Sequence, residues 1–340
     1  MEFRPLGRSG LRVSALSLGA MTFGDSTTFM KGLTSPDDEA RRVFDRAVDA
    51  GMNLVDTADV YSEGRSEELT GQWLKGKRDR VLLATKCRFP IGFGTRHAGP
   101  HDQGLSRKHI IEACEASLRR LGTDRVDLYQ MHMQDGSVPI DETLRALDDL
   151  VTQGKALYVG CSNYTGYRLV ESLWSADRNR THKYISVQLQ WSLAVREAEL
   201  EVLPACRAFG LGTLVWSGLA RGFLTGKAQR GQSPPPGSRL AAWRDSLRAF
   251  DNDRGWGILS AVEEVARRRE TTASAVALAW LLARPECSSV LVGARTVEQL
   301  EDNLKALDVK LTEEDLKRLN DASKLELVYP YGFINLREPW

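Results

Sequence analysis

The chain reads as a (β/α)8 barrel with an N-terminal β-hairpin and extra helices near its C-terminal end. Three observations predict it. Eight short apolar runs alternate with eight helical patterns, and no linker or repeat divides them. Three of those strands run into proton-handling groups, Asp56, Lys86 and His132, and Tyr61 follows the first in a short polar loop. Parallel neighbours would bring all four to one rim, the end where such barrels carry their chemistry.

The elements follow in order. Residues 2–4 and 11–13 flank Gly7-Arg8-Ser9-Gly10, which predicts a hairpin placed to plug the barrel floor. Residues 15–19 form the first core strand. The loop from Gly19 through Met21 and Thr22 to Gly24 lets backbone approach a ligand closely. Ser35 reads as a helix cap, with Pro36 and three acids in the first turn, Ala40, Val43, Phe44, Ala47 and Val48 on one face, and Gly51 as the stop. Strand two ends at Asp56, helix two covers residues 66–74, and strand three covers residues 81–85 and runs into Lys86.

The glycine- and aromatic-rich stretch 87–105 is a loop long enough to suggest function. Ser106 caps helix three, strand four (126–131) runs into His132, and helix four spans 140–152. Strand five (156–160) runs into Ser162 and Asn163, and helix five follows over 167–176. Strand six (185–189) exposes Gln188 and Gln190 near its end. Residues 197–209 read as helical, and strand seven (212–215) ends in Trp216 and Ser217. Residues 219–254, with Lys227, Arg230, Arg239 and Arg244, break the rhythm and read as an excursion over the strand-end face. Helices over 258–269 and 273–282, strand eight (288–292) and a helix over 297–304 complete the barrel. Thr312 opens a further helix with a capping signature, and the tail to Trp340 holds enough apolar residues to pack.

A length of 340 residues suits one barrel domain spanning 1–340. The composition, 42% hydrophobic and 27% charged with net charge +1, gives no signature of nucleic acid or anionic membrane as a partner. No apolar run approaches the roughly 20 residues that span a bilayer, and residues 1–5 carry no apolar signal region, so a cytoplasmic location is expected. The five cysteines are scattered and in no metal-ligand spacing, which predicts buried thiols and no metal.

A phenol titrates near 10, too high for an efficient acid at neutrality unless a cation lowers it. Lys86 is expected to do this for Tyr61, with Asp56 holding Lys86 charged and aimed. His132 would donate to a substrate oxygen. The set suits carbonyl reduction, in which carbon takes a hydride and oxygen needs a proton. For the hydride donor, the chain lacks a strand-linked G-x-G-x-x-G, which disfavours a Rossmann site. The loops after strands seven and eight instead carry Lys227, Arg239 and Arg295, with Gly293-Ala294-Arg295-Thr296 leading into a helix suited to phosphate. Trp216 offers a stacking surface for a nicotinamide, and Ser162, Asn163 and Gln188 offer polar groups for its carboxamide.

The segments 16–24, 54–61, 84–86, 127–132, 160–164 and 293–295, with Gln299 and Asn303, resemble the aldo-keto reductase family in order along nearly the whole chain. The likeness is strongest to the branch that contains bacterial general-stress reductases and potassium-channel β subunits. The resemblance implies an NADPH-dependent reductase of aldehydes or ketones that binds its partners in order and uses no metal. It implies Asp56, Tyr61, Lys86 and His132 as a catalytic tetrad with Tyr61 the acid. Gly19, Met21, Thr22, Asp56, Ser162, Asn163, Gln188, Trp216 and Gly293 would line the cofactor. Ser217, Leu219, Lys227 and Arg239 would follow the pyrophosphate, and Arg295, Gln299 and Asn303 would hold the 2′-phosphate end. A cationic Arg295 favours NADPH over NADH.

Departures from the resemblance are Ala220-Arg221, which bears on the pyrophosphate contacts, and the loop 88–104 and the tail 329–340, which are expected to shape substrate choice. Phe23, Phe29, Tyr61, Phe89, Phe93 and Met133 offer an apolar rim for a carbonyl substrate. The alternative reading is a non-catalytic NADPH-binding sensor of the channel-subunit kind, against which His132 argues, because such relatives tend to lack it. A metal-dependent hydrolase would need histidine and acid clusters that the sequence does not contain. The oligomeric state and the physiological carbonyl are not legible.

Overall fold

The computed structural model describes residues 1–92, 98–243 and 247–335. Arg244, Phe93 and the last five residues of the tail, all named above, lie outside them. Eight parallel strands close a barrel: β3 (Leu16–Gly19), β4 (Leu54–Asp56), β5 (Leu82–Cys87), β6 (Val126–Met131), β7 (Ala156–Ser162), β8 (Tyr184–Gln190), β9 (Gly212–Trp216) and β10 (Ser289–Val292). Closure is between first and last, with Val290 in register with Leu16. Strands covered by helices outside and side chains inside must be apolar on both faces, which is why they read as short continuous runs.

The hairpin is β1 (Phe3–Pro5) paired antiparallel with β2 (Arg12–Ser14). Its Leu6 and Val13 pack against Leu54, Ala84, Leu128 and Leu214 in the barrel interior, so it plugs the floor as the sequence suggests. Gly7 makes this possible: a Cβ there would lie 2.4 Å from the backbone nitrogen of Gly212, and its φ of 63° is left-handed.

The alternating helices are α1 (Asp37–Asp49), α2 (Arg65–Leu74), α3 (Arg107–Leu121), α4 (Ile140–Thr152), α5 (Gly166–Asn179) and α6 (Val202–Phe209). After β9 come α7 (Arg239–Ala242), α8 (Asp253–Arg268) and α9 (Ala273–Leu282), and after β10 come α10 (Val297–Leu304), α11 (Glu313–Ser323) and the short α12 (Tyr331–Asn335). Ser106 caps α3 as read, Thr272 caps α9, and Thr312 with Asp315 forms the capping box of α11. Among the described residues no helix is long and apolar enough to cross a membrane.

Five expectations need correction. Ser35 does not cap α1; Pro36 stands at the cap position without a side-chain bond, and the Ser35 hydroxyl donates to the Arg295 carbonyl at 2.8 Å. Lys86 and Ser162 lie inside β5 and β7, because ladder pairing continues past the last apolar residue. Helix α8 starts at Asp253, five residues early, where the Asn252 side chain accepts from Gly255 N, and residues 197–209 split into a 3-10 turn and α6. The described part of the tail does not pack as expected. Val328, Tyr329 and Phe333 are exposed, and the side chain of Tyr331 reaches Glu201.

Candidate active site

The carboxyl ends of the strands surround a cavity of about 430 Å³ lined by Gly19, Met21, Phe29, Asp56, Val60, Tyr61, Phe89, His132, Asn163, Gln188, Trp216, Ser217, Arg221, Arg239, Trp243, Leu291 and Gly293. Three of the four tetrad candidates line it, and the fourth, Lys86, is buried directly beneath. The Lys86 ammonium donates to Asp56 Oδ1 at 2.5 Å, to the Thr57 carbonyl at 2.8 Å and to the Tyr61 hydroxyl at 3.2 Å. Each of its three protons has an acceptor, so the head group is fixed as a tripod. Because Lys86 donates to the phenol oxygen, the phenol's own hydrogen is left to point elsewhere. The rings of Tyr61 and His132 meet edge to face with centroids 5.7 Å apart, and Phe89 packs on His132 at 5.0 Å.

Tyr61 is set by a tight left-handed turn. Ser62 (φ 48°), Glu63 (φ 54°) and Gly64 (φ 95°) are all left-handed, a conformation costing about 1–2 kcal/mol for each residue with a Cβ. The turn is held from outside: the Ser62 hydroxyl bonds to the carbonyls of Phe23 and Gly24, and Glu63 accepts from Ser26 and the Thr27 amide. The same loop continues to Phe29, which roofs the cavity by stacking with Trp243 at 6.4 Å and accepting its indole N–H at 3.2 Å.

Titration differs from the expectation in one respect. Burial raises the Tyr61 phenol above its ordinary value of 10.0, outweighing the nearby Lys86 cation that lowers it. Burial, with the charges of Lys86 and Arg88, holds His132 well below the usual imidazole range, so it is neutral at pH 7. Lys86 is raised: burial pulls it down, and the Asp56 carboxylate together with Tyr61 more than offsets this.

The cavity wall also holds cations, Arg221 and Arg239. Arg239 is pushed down to about 10 by burial and by the like charges of Arg295 and Arg221. A methyl group added at Gly293 would sit 3.7 Å from the Arg239 guanidinium and 3.8 Å from the Gly19 carbonyl, so the two glycines keep a gap open beside the cation. Asn163, at φ 54°, spends its side-chain N–H groups on the His132 carbonyl and Ser162 Oγ. Gln188 spends its own on Asp56 Oδ2 and Gln130. What each side chain keeps for the cavity is its carbonyl oxygen.

Of the other residues singled out from sequence, Thr22, Ser162, Leu219, Lys227, Arg295, Gln299 and Asn303 are not in the cavity wall. Thr22 bonds to the Ala294 carbonyl, and Gln299 accepts from the Arg295 amide, closing the first turn before α10. Phe23 is in the core against Trp73, and Met133 does not line the cavity, so of the described residues read as an apolar rim only Phe29, Tyr61 and Phe89 line it. Sequence reasoning missed Trp243, Val60 and Gln130. Gln130 had a signal: it alternates with Leu128 and His132 on the inward face of β6, where a buried amide needs a partner.

The model of the aldo/keto reductase family matches residues 15–324. The uncharacterized oxidoreductase YrpG of Bacillus subtilis is 39% identical, over 94% of this chain and 95% of its own length. Versiconal hemiacetal acetate reductase of Aspergillus parasiticus is 34% identical, over 97% of this chain and 99% of its own. A probable voltage-gated potassium channel β subunit of Arabidopsis thaliana is 36% identical, over 91% and 92%.

Proposed function

Because this chain belongs to the aldo/keto reductase family, we propose that it reduces aldehydes or ketones to alcohols with NADPH, and that Tyr61 is the general acid. One observation carries the reading. A buried ammonium shared by Asp56 and Tyr61 lies under a largely aromatic cavity whose wall also holds a neutral histidine.

Substrate binding is driven by the apolar wall. Phe29, Val60, Phe89 and Trp243 exclude water and accept a flat or aliphatic carbonyl compound, whose oxygen faces Tyr61 and His132. Neutral His132 donates an N–H to that oxygen and stabilises the charge that develops there. The Tyr61 O–H is free because Lys86 occupies the oxygen from the other side. Its raised pKa keeps it protonated throughout the physiological range, and an alkoxide is basic enough to take the proton. The phenolate left behind is stabilised by the Lys86 ammonium, which Asp56 keeps charged.

The residues present fit a phosphorylated dinucleotide. Buried Arg239, with the like charge of Arg295 near it, would hold an anion, and the Gly19–Gly293 gap admits one. Trp216 would stack on a planar ring, the carbonyl oxygens of Asn163 and Gln188 would accept from a carboxamide, and Arg295 would favour the 2′-phosphate. When bound, NADPH supplies the hydride.

The channel-subunit relatives favour a second reading, a cofactor-binding regulatory protein without turnover. One experiment separates the two. NADPH and NADH are titrated against tryptophan fluorescence, and nicotinamide absorbance is then followed with an aromatic aldehyde. Tight NADPH binding with turnover is expected. Tight binding without turnover across a panel of carbonyls would favour the regulatory reading, and no binding of either nucleotide would overturn both.

A further inference from the structure

Gln130 is fully buried on β6, does not line the cavity, and has an acid as its partner. Its side-chain Nε2 donates to Asp56 Oδ2 at 2.9 Å; the Gln188 Nε2 donates to the same oxygen at 2.8 Å and approaches Gln130 Oε1 at 3.4 Å. The two oxygens of Asp56 are thus divided, Oδ1 taking the ammonium of Lys86 and Oδ2 taking two amides. We propose that Gln130 is a positioning residue for the proton-delivery chain, holding the Asp56 carboxylate in the one orientation that aims Lys86 at Tyr61. This rests on the reading of Tyr61 as the acid.

A carboxylate can turn about its last torsion at little cost. If Asp56 turned, Oδ1 would leave the tripod of Lys86, and the ammonium would follow it away from the phenol. Two amide donors on Oδ2 prevent this, and they are not equivalent. Gln188 is in the cavity wall, so its amide meets whatever binds there. Gln130 is out of reach of any ligand and keeps its bond through the catalytic cycle. The anchoring is direct, because Gln130 is in backbone register with Lys86 on β5. A simpler role, that of a polar filler satisfied by chance, predicts effects on stability alone.

The test uses the full-length protein with Gln130→Met, which keeps the shape and removes the donor, and Gln130→Glu, with Tyr61→Phe run in parallel. Asp56 on β4 and Lys86 on β5 are the charged groups beside position 130, so an ionised carboxylate there is repelled by Asp56, and a protonated one donates to Oδ2. For Gln130→Met we expect kcat to fall roughly 10–100-fold, with little change in the aldehyde KM or the NADPH dissociation constant. For Gln130→Glu we expect kcat, relative to wild type at each pH, to recover as the pH is lowered. Wild-type kcat in Gln130→Met, or a pH-independent ratio in Gln130→Glu, would overturn the proposal even where Tyr61→Phe is inactive. Turnover retained in Tyr61→Phe would instead remove the reading on which it rests.

Discussion

The Lys86 ammonium lies 3.2 Å from the Tyr61 hydroxyl and 4.7 Å from the centroid of the same ring, so it meets both the oxygen and the π system of one side chain. The oxygen contact is what a departing proton would feel, and the ring contact survives if the oxygen is removed. Tyr61→Phe should therefore fold normally and bind NADPH nearly as well as wild type, with turnover lowered about 10²–10⁴-fold, the range of a general acid. Single-turnover absorbance decay checks this, and unchanged turnover would take Tyr61 out of the acid role.

Asp56 is an acceptor for three donors, and asparagine offers only one acceptor oxygen. Asp56→Asn leaves either the buried ammonium or both glutamine amides facing an N–H. Breaking a buried ion pair by removing one partner costs about 3–5 kcal/mol. Urea melts should show a loss of that order, and the double change Asp56→Asn with Lys86→Met should cost less than the sum of the single ones. Strict additivity would mean that the two groups do not act as a pair.

Much of this arrangement was legible before the fold was seen. Asp56, Lys86 and His132 are readable because a strand's apolar run stops being apolar where it reaches the rim, and eight such runs in series allow one topology. What local pattern could not reveal is contact between segments far apart in sequence. Phe29 meets Trp243 across 214 positions, and neither is in a periodic element that would announce it. The rise of the Tyr61 pKa was missed for a related reason: the cation is visible in the sequence, but the depth of burial opposing it is a property of the closed barrel. Ser35 was misread because a serine before Pro-Asp-Asp-Glu satisfies every local rule for a cap. The tertiary acceptor at Arg295 won.

Arg239 is pulled down to about 10 by burial and by the like charge of Arg295, so burying its charge costs stability. Arg239→Met should leave the melting temperature of the free protein unchanged or slightly raised. Its NADPH affinity should fall about tenfold or more, in line with a lost charge-assisted bond. The salt dependence of NADPH binding should weaken as well. Isothermal titration at two ionic strengths measures both, and an unaltered salt slope would put the phosphates elsewhere.

Ser62 occupies a left-handed position next to Tyr61 and shares its single hydroxyl proton between the carbonyls of Phe23 and Gly24. Ser62→Ala loses this shared bond and keeps the strained Cβ, so it should destabilise by about 1–3 kcal/mol. Ser62→Gly loses the same bond and relieves the strain, and should be about 1 kcal/mol more stable than Ser62→Ala. The ordering of the two in denaturant melts is the check. The reverse order would mean that chain entropy outweighs the torsional strain.

Burial raises the phenols of Tyr61, Tyr129, Tyr164 and Tyr184 above the ordinary 10.0. In the unfolded chain the same groups titrate near 10. Above that pH the unfolded state has already shed protons that the native state still holds, so stability must fall as pH rises. The contribution is complete below about pH 10 and is lost progressively as the pH climbs toward the folded values. Lys86, also raised, acts in the same direction. Urea melts between pH 8 and 11 should show this decline. The four buried phenols should ionise only as the barrel opens, so their signal should track loss of structure. Ionisation of these four tyrosines near pH 10 with the fold intact would contradict this account of the core.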